Sequence, residues 1–208
     1  MKRVLLLIVV IVLFSGILSA SGTKFTLTIY GNYLTIEDDD FKEKYGGKKF
    51  FPEAKVSVTV FGNFYLWGSY GFFPSRYNWT EWSNKGIVLP DIEGESTADK
   101  RIISGGVGFF AGYIEPGNFS IKVELGICSI TNAIESTRNF IDTKEFIDSL
   151  EEKQSGTGIR GRFGVTYGLY KKLFSELSLS YMYAADKVDD KRINLGGMQV
   201  SIGLGLTF

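Results

Sequence analysis

The chain has 208 residues, 25 of them glycine, with 15% aromatic residues and no histidine; this suits a leader followed by one all-β domain. Basic and acidic residues balance at 23 each, and without Lys2 and Arg3 the rest carries 21 against 23, so the basic footprint of a nucleic-acid binder is absent. Missing histidines remove the commonest general base and transition-metal ligand, and the lone Cys128 can form neither an internal disulfide nor a zinc or redox motif; no catalytic residue, metal or cofactor is expected.

Lys2-Arg3, an apolar run from Val4 to Leu18 and the small residues Ser19-Ala20-Ser21-Gly22 follow the order of a secretory signal. Residues 1–21 are therefore expected to be a cleaved signal peptide and 22–208 the mature domain. A membrane-anchor helix is the alternative, but the run falls short of the roughly 20 residues a span needs.

Beyond the leader the apolar residues recur with period two, the mark of strands with unlike faces. Phe119, Ile121, Val123, Leu125 and Ile127 alternate with Ser120, Lys122, Glu124, Gly126 and Cys128, and Val200 to Phe208 repeats the pattern against Ser201, Gly203, Gly205 and Thr207. In chain order the strands are expected at 24–36, 53–61, 64–72, 101–114, 118–131, 157–169, 173–185 and 193–208. Three tight connections, Gly62-Asn63, Glu115-Pro116-Gly117 and Tyr170-Lys171-Lys172, alternate with four polar segments read as long loops, at about 37–52, 71–100, 132–156 and 186–192. Eight strands with short turns at one end and long loops at the other predict an all-β, eight-stranded, antiparallel up-and-down transmembrane β-barrel with both termini periplasmic. A sheet in hydrocarbon leaves no edge unpaired, so it closes.

Aromatic residues beside the short turns, Phe25, Phe64, Tyr113, Phe119, Tyr167, Tyr170 and Phe208, are expected to form an interfacial girdle. Tyr33, Tyr70, Phe72, Tyr181 and Tyr183 are candidates for the opposite belt. If the apolar set faces lipid, Lys24, Lys55, Lys122, Glu124, Arg160, Arg162 and Glu176 face the lumen. Side chains fill a barrel of this size, and buried charges need partners. A charge network of Lys122, Glu124, Arg160, Arg162 and Glu176 plugging the interior is therefore expected; a narrow ion path gated by the same pairs is the alternative. Cys128 is read as a small packing residue of the lumen.

The segment 71–100 carries Phe72, Phe73, Tyr77, Trp79 and Trp82, a group suited to a partner or to headgroup contact. Asp142 and Glu145 read as a capping box before Phe146, Ile147 and Leu150, predicting a short surface helix. The acidic run Glu37 to Asp40 is read as a solvated charge run, lacking the spacing of a calcium loop.

The final strand, with Leu204, Leu206 and Phe208 at alternate positions, resembles the C-terminal strand of outer-membrane barrels. From about residue 23 to 208 the chain is similar to the OmpA/OmpX-like eight-stranded barrel domain family. The resemblance implies that Leu204, Leu206 and Phe208 are read by the barrel-assembly machinery. It implies a monomer in the bacterial outer membrane, surrounded by lipid and lipopolysaccharide, with any surface ligand on the loops. A non-enzymatic structural or surface-interaction role fits best. Lipid-modifying barrels rely on a His-assisted Ser, which this chain lacks, and a conduit for small apolar molecules needs an apolar lumen.

Overall fold

The computed structural model describes residues 24–37, 48–81, 92–112, 114–140, 146–188 and 191–208; the expected signal segment lies outside them. Nine strands run β1 Phe25–Ile36, β2 Lys48–Phe61, β3 Phe64–Glu81, β4 Ile92–Ala111, β5 Phe119–Phe140, β6 Phe146–Tyr170, β7 Leu173–Val188, β8 Lys191–Asn194 and β9 Gly197–Thr207. Chain neighbours pair antiparallel from β1 to β7, and β9 bridges β7 to β1 and closes the ring. Because β8 and β9 both pair with β7, they are one stave interrupted at Leu195-Gly196. The result is a closed barrel of eight antiparallel staves, without the open edge that would leave backbone groups unpaired in hydrocarbon.

The interruption has a local cause. Asn194 Oδ1 accepts from the backbone N–H groups of Ala184 and Gly196, each at 3.1 Å, and so takes over ladder bonds at the break. Gly197 follows with a φ of 150°, and any Cβ there would strike the Thr35 carbonyl. At the opposite end of the barrel the start of β1 meets the end of β9. Phe208 N–H donates to the Phe25 carbonyl at 2.7 Å, and their rings lie 5.9 Å apart.

The outer face is apolar over a limited height. On β5 it runs Phe119, Ile121, Val123, Leu125 and Ile127, all exposed, before changing to Ser129 and Thr131. Nine residues at the usual tilt cover roughly 20–25 Å, about the height of an outer-membrane apolar band. Yet β5 continues to Phe140, roughly 30 Å further along at the same tilt. Above the band β3 pairs with β4 as far as Glu81 opposite Ile92, and β5 with β6 as far as Asn139 opposite Phe146. The flanking ladders stop earlier, at Glu53 opposite Gly71 and Thr157 opposite Ala185. Four strands thus leave the rim as an open sheet with edges at 72–81 of β3 and 146–156 of β6.

This extension corrects the expected loop boundaries. Much of 71–100 and 132–156 is strand, 48–52 belongs to β2, and most of 186–192 is divided between β7 and β8. The expected surface helix is also absent from the described residues: Asp142 and Glu145 of its capping box lie outside them, and Phe146 to Lys153 is the start of β6 and pairs with β5. A short amphipathic helix has little stability without a partner surface, whereas extending an existing ladder satisfies every backbone group on the paired side.

The inner face changes character at the height where the outer one does. In the half nearer the short turns it is polar, with Thr26, Thr28, Lys55, Ser120, Lys122 and Glu124 all buried. Near the upper edge of the band it becomes a packed apolar layer: Leu34, Ile36, Phe51, Phe73, Ile102, Cys128, Ile130, Met182, Ala184 and Leu195. Strand parity is continuous through the change. Below it the barrel is polar inside and apolar outside; above it the sense is that of a water-soluble β-structure.

Candidate functional site: a charge chain across the lumen

The buried charges of the lower lumen are joined in one sequence of alternating sign. Arg160 donates from two guanidinium nitrogens to the two oxygens of Glu53, at 2.8 and 2.9 Å. Arg162 Nη2 donates to the same carboxylate at 2.9 and 3.0 Å, while its Nη1 lies 3.8 Å from Glu124. Glu124 accepts from Lys55 Nζ at 2.6 Å, Lys55 lies 3.7 Å from Glu176, and Glu176 accepts from Lys122 Nζ at 2.7 Å. The order is Arg160, Glu53, Arg162, Glu124, Lys55, Glu176, Lys122. Each carboxylate has a cation on either side, which is the arrangement that offsets the loss of hydration on burial.

The two ends are cations capped by neutral groups. Arg160 also donates to Ser69 and Ser104, both at 3.2 Å, and to Gln199 Oε1 at 3.1 Å. Lys122 sits between the rings of Phe110 and Phe174, 5.0 and 4.6 Å from their centroids, where ring faces attract a desolvated ammonium. Two tyrosines bind the middle: Tyr30 donates to Glu176 at 2.8 Å and Tyr65 to Glu124 at 2.9 Å. The Tyr30 ring also lies under Lys55 and Arg162, at 5.1 and 4.7 Å.

Strand periodicity sets these positions. Glu53 and Lys55 are two apart on β2, Lys122 and Glu124 on β5, and Arg160 and Arg162 on β6, so each pair points inward from one wall. Inward glycines make room for the rings: Tyr65 lies where a Gly108 Cβ would be, and Phe174 covers Gly205.

All five residues of the expected network, Lys122, Glu124, Arg160, Arg162 and Glu176, lie buried in this chain. Glu53, which joins Arg160 to Arg162, falls outside the expected lumen set, although its position two residues before Lys55 signals the shared face. Lys24 departs from expectation. It is exposed, just before β1 begins.

Of the expected girdle, Phe64, Phe119, Tyr170 and Phe208 are exposed on the outer face, with Phe25 and Tyr167 half-buried. Phe119 and Tyr167 pack at 4.7 Å and Phe64 and Phe109 at 5.1 Å. Tyr113 lies outside the described residues. Among the aromatics expected on a loop, Phe72, Phe73, Tyr77 and Trp79 stand on β3, Phe73 turned into the lumen against Phe51 at 5.0 Å. Trp82 lies outside the described residues, as do Asp38 to Asp40 of the acidic run. Glu37 accepts from Asn194 at 2.6 Å and Tyr181 at 3.1 Å. Leu204 and Leu206 are exposed on the outer face of β9, and Cys128 is buried with its thiol directed at the Ile159 carbonyl, 3.4 Å away.

No family model and no curated protein matches the chain. Among solved structures it is similar to the outer membrane protein OprG from Pseudomonas aeruginosa, at 12% identity over 90% of this chain and 96% of that one, with a TM-score of 0.55. The N-terminal β-barrel domain of Pseudomonas aeruginosa OprF gives 15% identity over 89% and 97%, with a TM-score of 0.47. The attachment invasion locus protein Ail of Yersinia pestis gives the same values. At such identities the likeness is one of fold, and the fold is the closed eight-stranded barrel of outer-membrane proteins.

Proposed function

We propose that the protein is a non-enzymatic, non-conducting barrel of the bacterial outer membrane that holds a β-sheet above the surface for contact with a partner. The observation that carries it is the continuation of β3 to β6 beyond the apolar band, with two strand edges that no other strand covers among the described residues. Such edges offer backbone donors and acceptors in register to an incoming chain. The filling of the lumen supports the same role. A charge chain and an apolar layer lie in series across it, so ions meet both a paired electrostatic barrier and a dry constriction.

In this setting lipid and lipopolysaccharide surround the band, the barrel-assembly machinery reads Leu204, Leu206 and Phe208, the short turns and both termini face the periplasm, and the barrel is a monomer. Protease added to intact cells tests the placement: cleavage confined to 72–100 and 131–157, with the band protected, is expected. Intact surface segments in cells whose fractionated membranes contain the protein would overturn it.

A further inference from the structure

The outer face holds one apolar recess, of about 700 Å³, over β1, β9 and β7. The ladder registers place its lining in rows. Leu27, Leu206 and Leu173 form the row nearest the short turns, then Ile29, Leu204 and Ser175, then Gly31 and Ile202. Each of the two inner rows contains one small member, Ser175 or Gly31. At Gly31 the Phe50 ring stands 2.8 Å from where a Cβ would lie, so the dent opens at Ser175, the short side chain beside Leu204 and Leu173 in its lining.

The charge at its mouth is one-sided. Lys172 immediately precedes Leu173, and its carbonyl accepts from Thr207 N–H at 2.9 Å, which fixes it beside the end of β9. Lys171 is next to it in the same turn. Lys24, one residue before β1, accepts at its carbonyl from Thr59 N–H at 2.9 Å. All three lysine residues are exposed. Among the described residues of this end of the barrel the only exposed side-chain carboxylate is Glu115, on the β4–β5 turn, where Asn118 donates to it at 3.3 Å.

We propose that this recess and these lysines form a site for one anionic phospholipid, with an acyl chain along the Leu27–Leu206–Leu173 and Ile29–Leu204–Ser175 rows and the phosphate at Lys171, Lys172 and Lys24. An apolar groove with cations at the depth of the headgroups matches both parts of such a lipid. A lysine-rich end favours an anionic headgroup over a zwitterionic one. The site rests on the membrane placement proposed above, with the short turns towards the phospholipid leaflet.

The test is native mass spectrometry of the folded, delipidated barrel in detergent, titrated with phosphatidylglycerol or phosphatidylcholine. One phosphatidylglycerol is expected to stay bound in preference to phosphatidylcholine. The double variant Lys171→Ala/Lys172→Ala should lower its retention at least fivefold, and the Arg double variant should restore it. Ser175→Leu, which fills the recess and leaves the lysines in place, should lower it as well. Lys153→Ala, at the far end, should not change it. Equal retention of the two lipids, or retention within twofold in the Lys171→Ala/Lys172→Ala variant, would overturn the site. Heat-dependent gel mobility separates the two levels: a chain without it fails as a membrane barrel, while a barrel that keeps it and shows no lipid preference fails only here.

Discussion

Glu53 and Arg160 face each other from opposite walls of the barrel, β2 and β6, with three staves between them in either direction, and join through two parallel hydrogen bonds of 2.8 and 2.9 Å. The pair is a brace across the lumen rather than a link between neighbours. Because Glu53 also accepts from Arg162, its removal leaves two buried guanidinium groups facing each other. Glu53→Ala is accordingly expected to destabilise the folded barrel by about 3–5 kcal/mol. Arg160→Ala should cost less, since Glu53 keeps Arg162. Urea unfolding in detergent micelles checks the order, and equal losses would mean that the two arginines do not share the carboxylate.

Two barriers in series predict a particular conductance pattern. In planar bilayers the wild-type protein should give no steady current. Loss of the charge chain alone, in Arg160→Ala/Arg162→Ala, should leave it silent, because Leu34, Phe51, Phe73 and Ile130 still close the upper lumen and a dry constriction stops ions by itself. Adding Phe51→Ser and Phe73→Ser to that variant should open a small steady conductance. Current from the arginine variant alone would show that the apolar layer does not seal.

The Tyr65 ring occupies the space of a Gly108 side chain while its hydroxyl holds Glu124 at 2.9 Å. Gly108→Ala therefore has to displace the ring and its hydrogen bond together. The expected loss is about 1–3 kcal/mol, seen as a lower urea midpoint with the gel shift of the folded form retained. Gly68→Ala, where the nearest atom to an added Cβ is 3.8 Å away, is the control and should be near neutral.

Cys128 is 3% exposed and belongs to the apolar layer. A maleimide reagent should label it only when the barrel unfolds, so labelling of the folded protein from either side would mean that the upper lumen admits small molecules. Unfolded in urea, the same thiol should react promptly.

The barrel itself was legible because two signals agreed: period-two alternation through residues such as Phe119 to Cys128, and short turns alternating with long polar segments. The lumen charges followed from the same parity. The upper region was harder to see. Outward Ser129 and Thr131 and inward Ile130 reverse the pattern that identifies a lipid-facing strand, so the strand reads as ending where it only leaves the membrane. The helix expected at Asp142 to Leu150 failed over Phe146 to Leu150 for a related reason, since a local cap signal says nothing of the neighbouring β5 ladder on which those residues extend. The apolar layer of Leu34, Phe51 and Ile102 was not foreseen, because an apolar side chain in a strand of this kind reads as facing lipid, and only the parity of its own strand turns it inward.

The exchange of polarity between the two faces works as a waterline painted on the barrel. Sliding the protein one way by one pair of residues would draw Ile127 and Ile103 out of hydrocarbon; sliding it the other way would draw Arg101 and Ser129 into it. The draught of the barrel is thus set by its own sequence, and in a thicker or thinner bilayer it is the lipid that must stretch or compress to meet it.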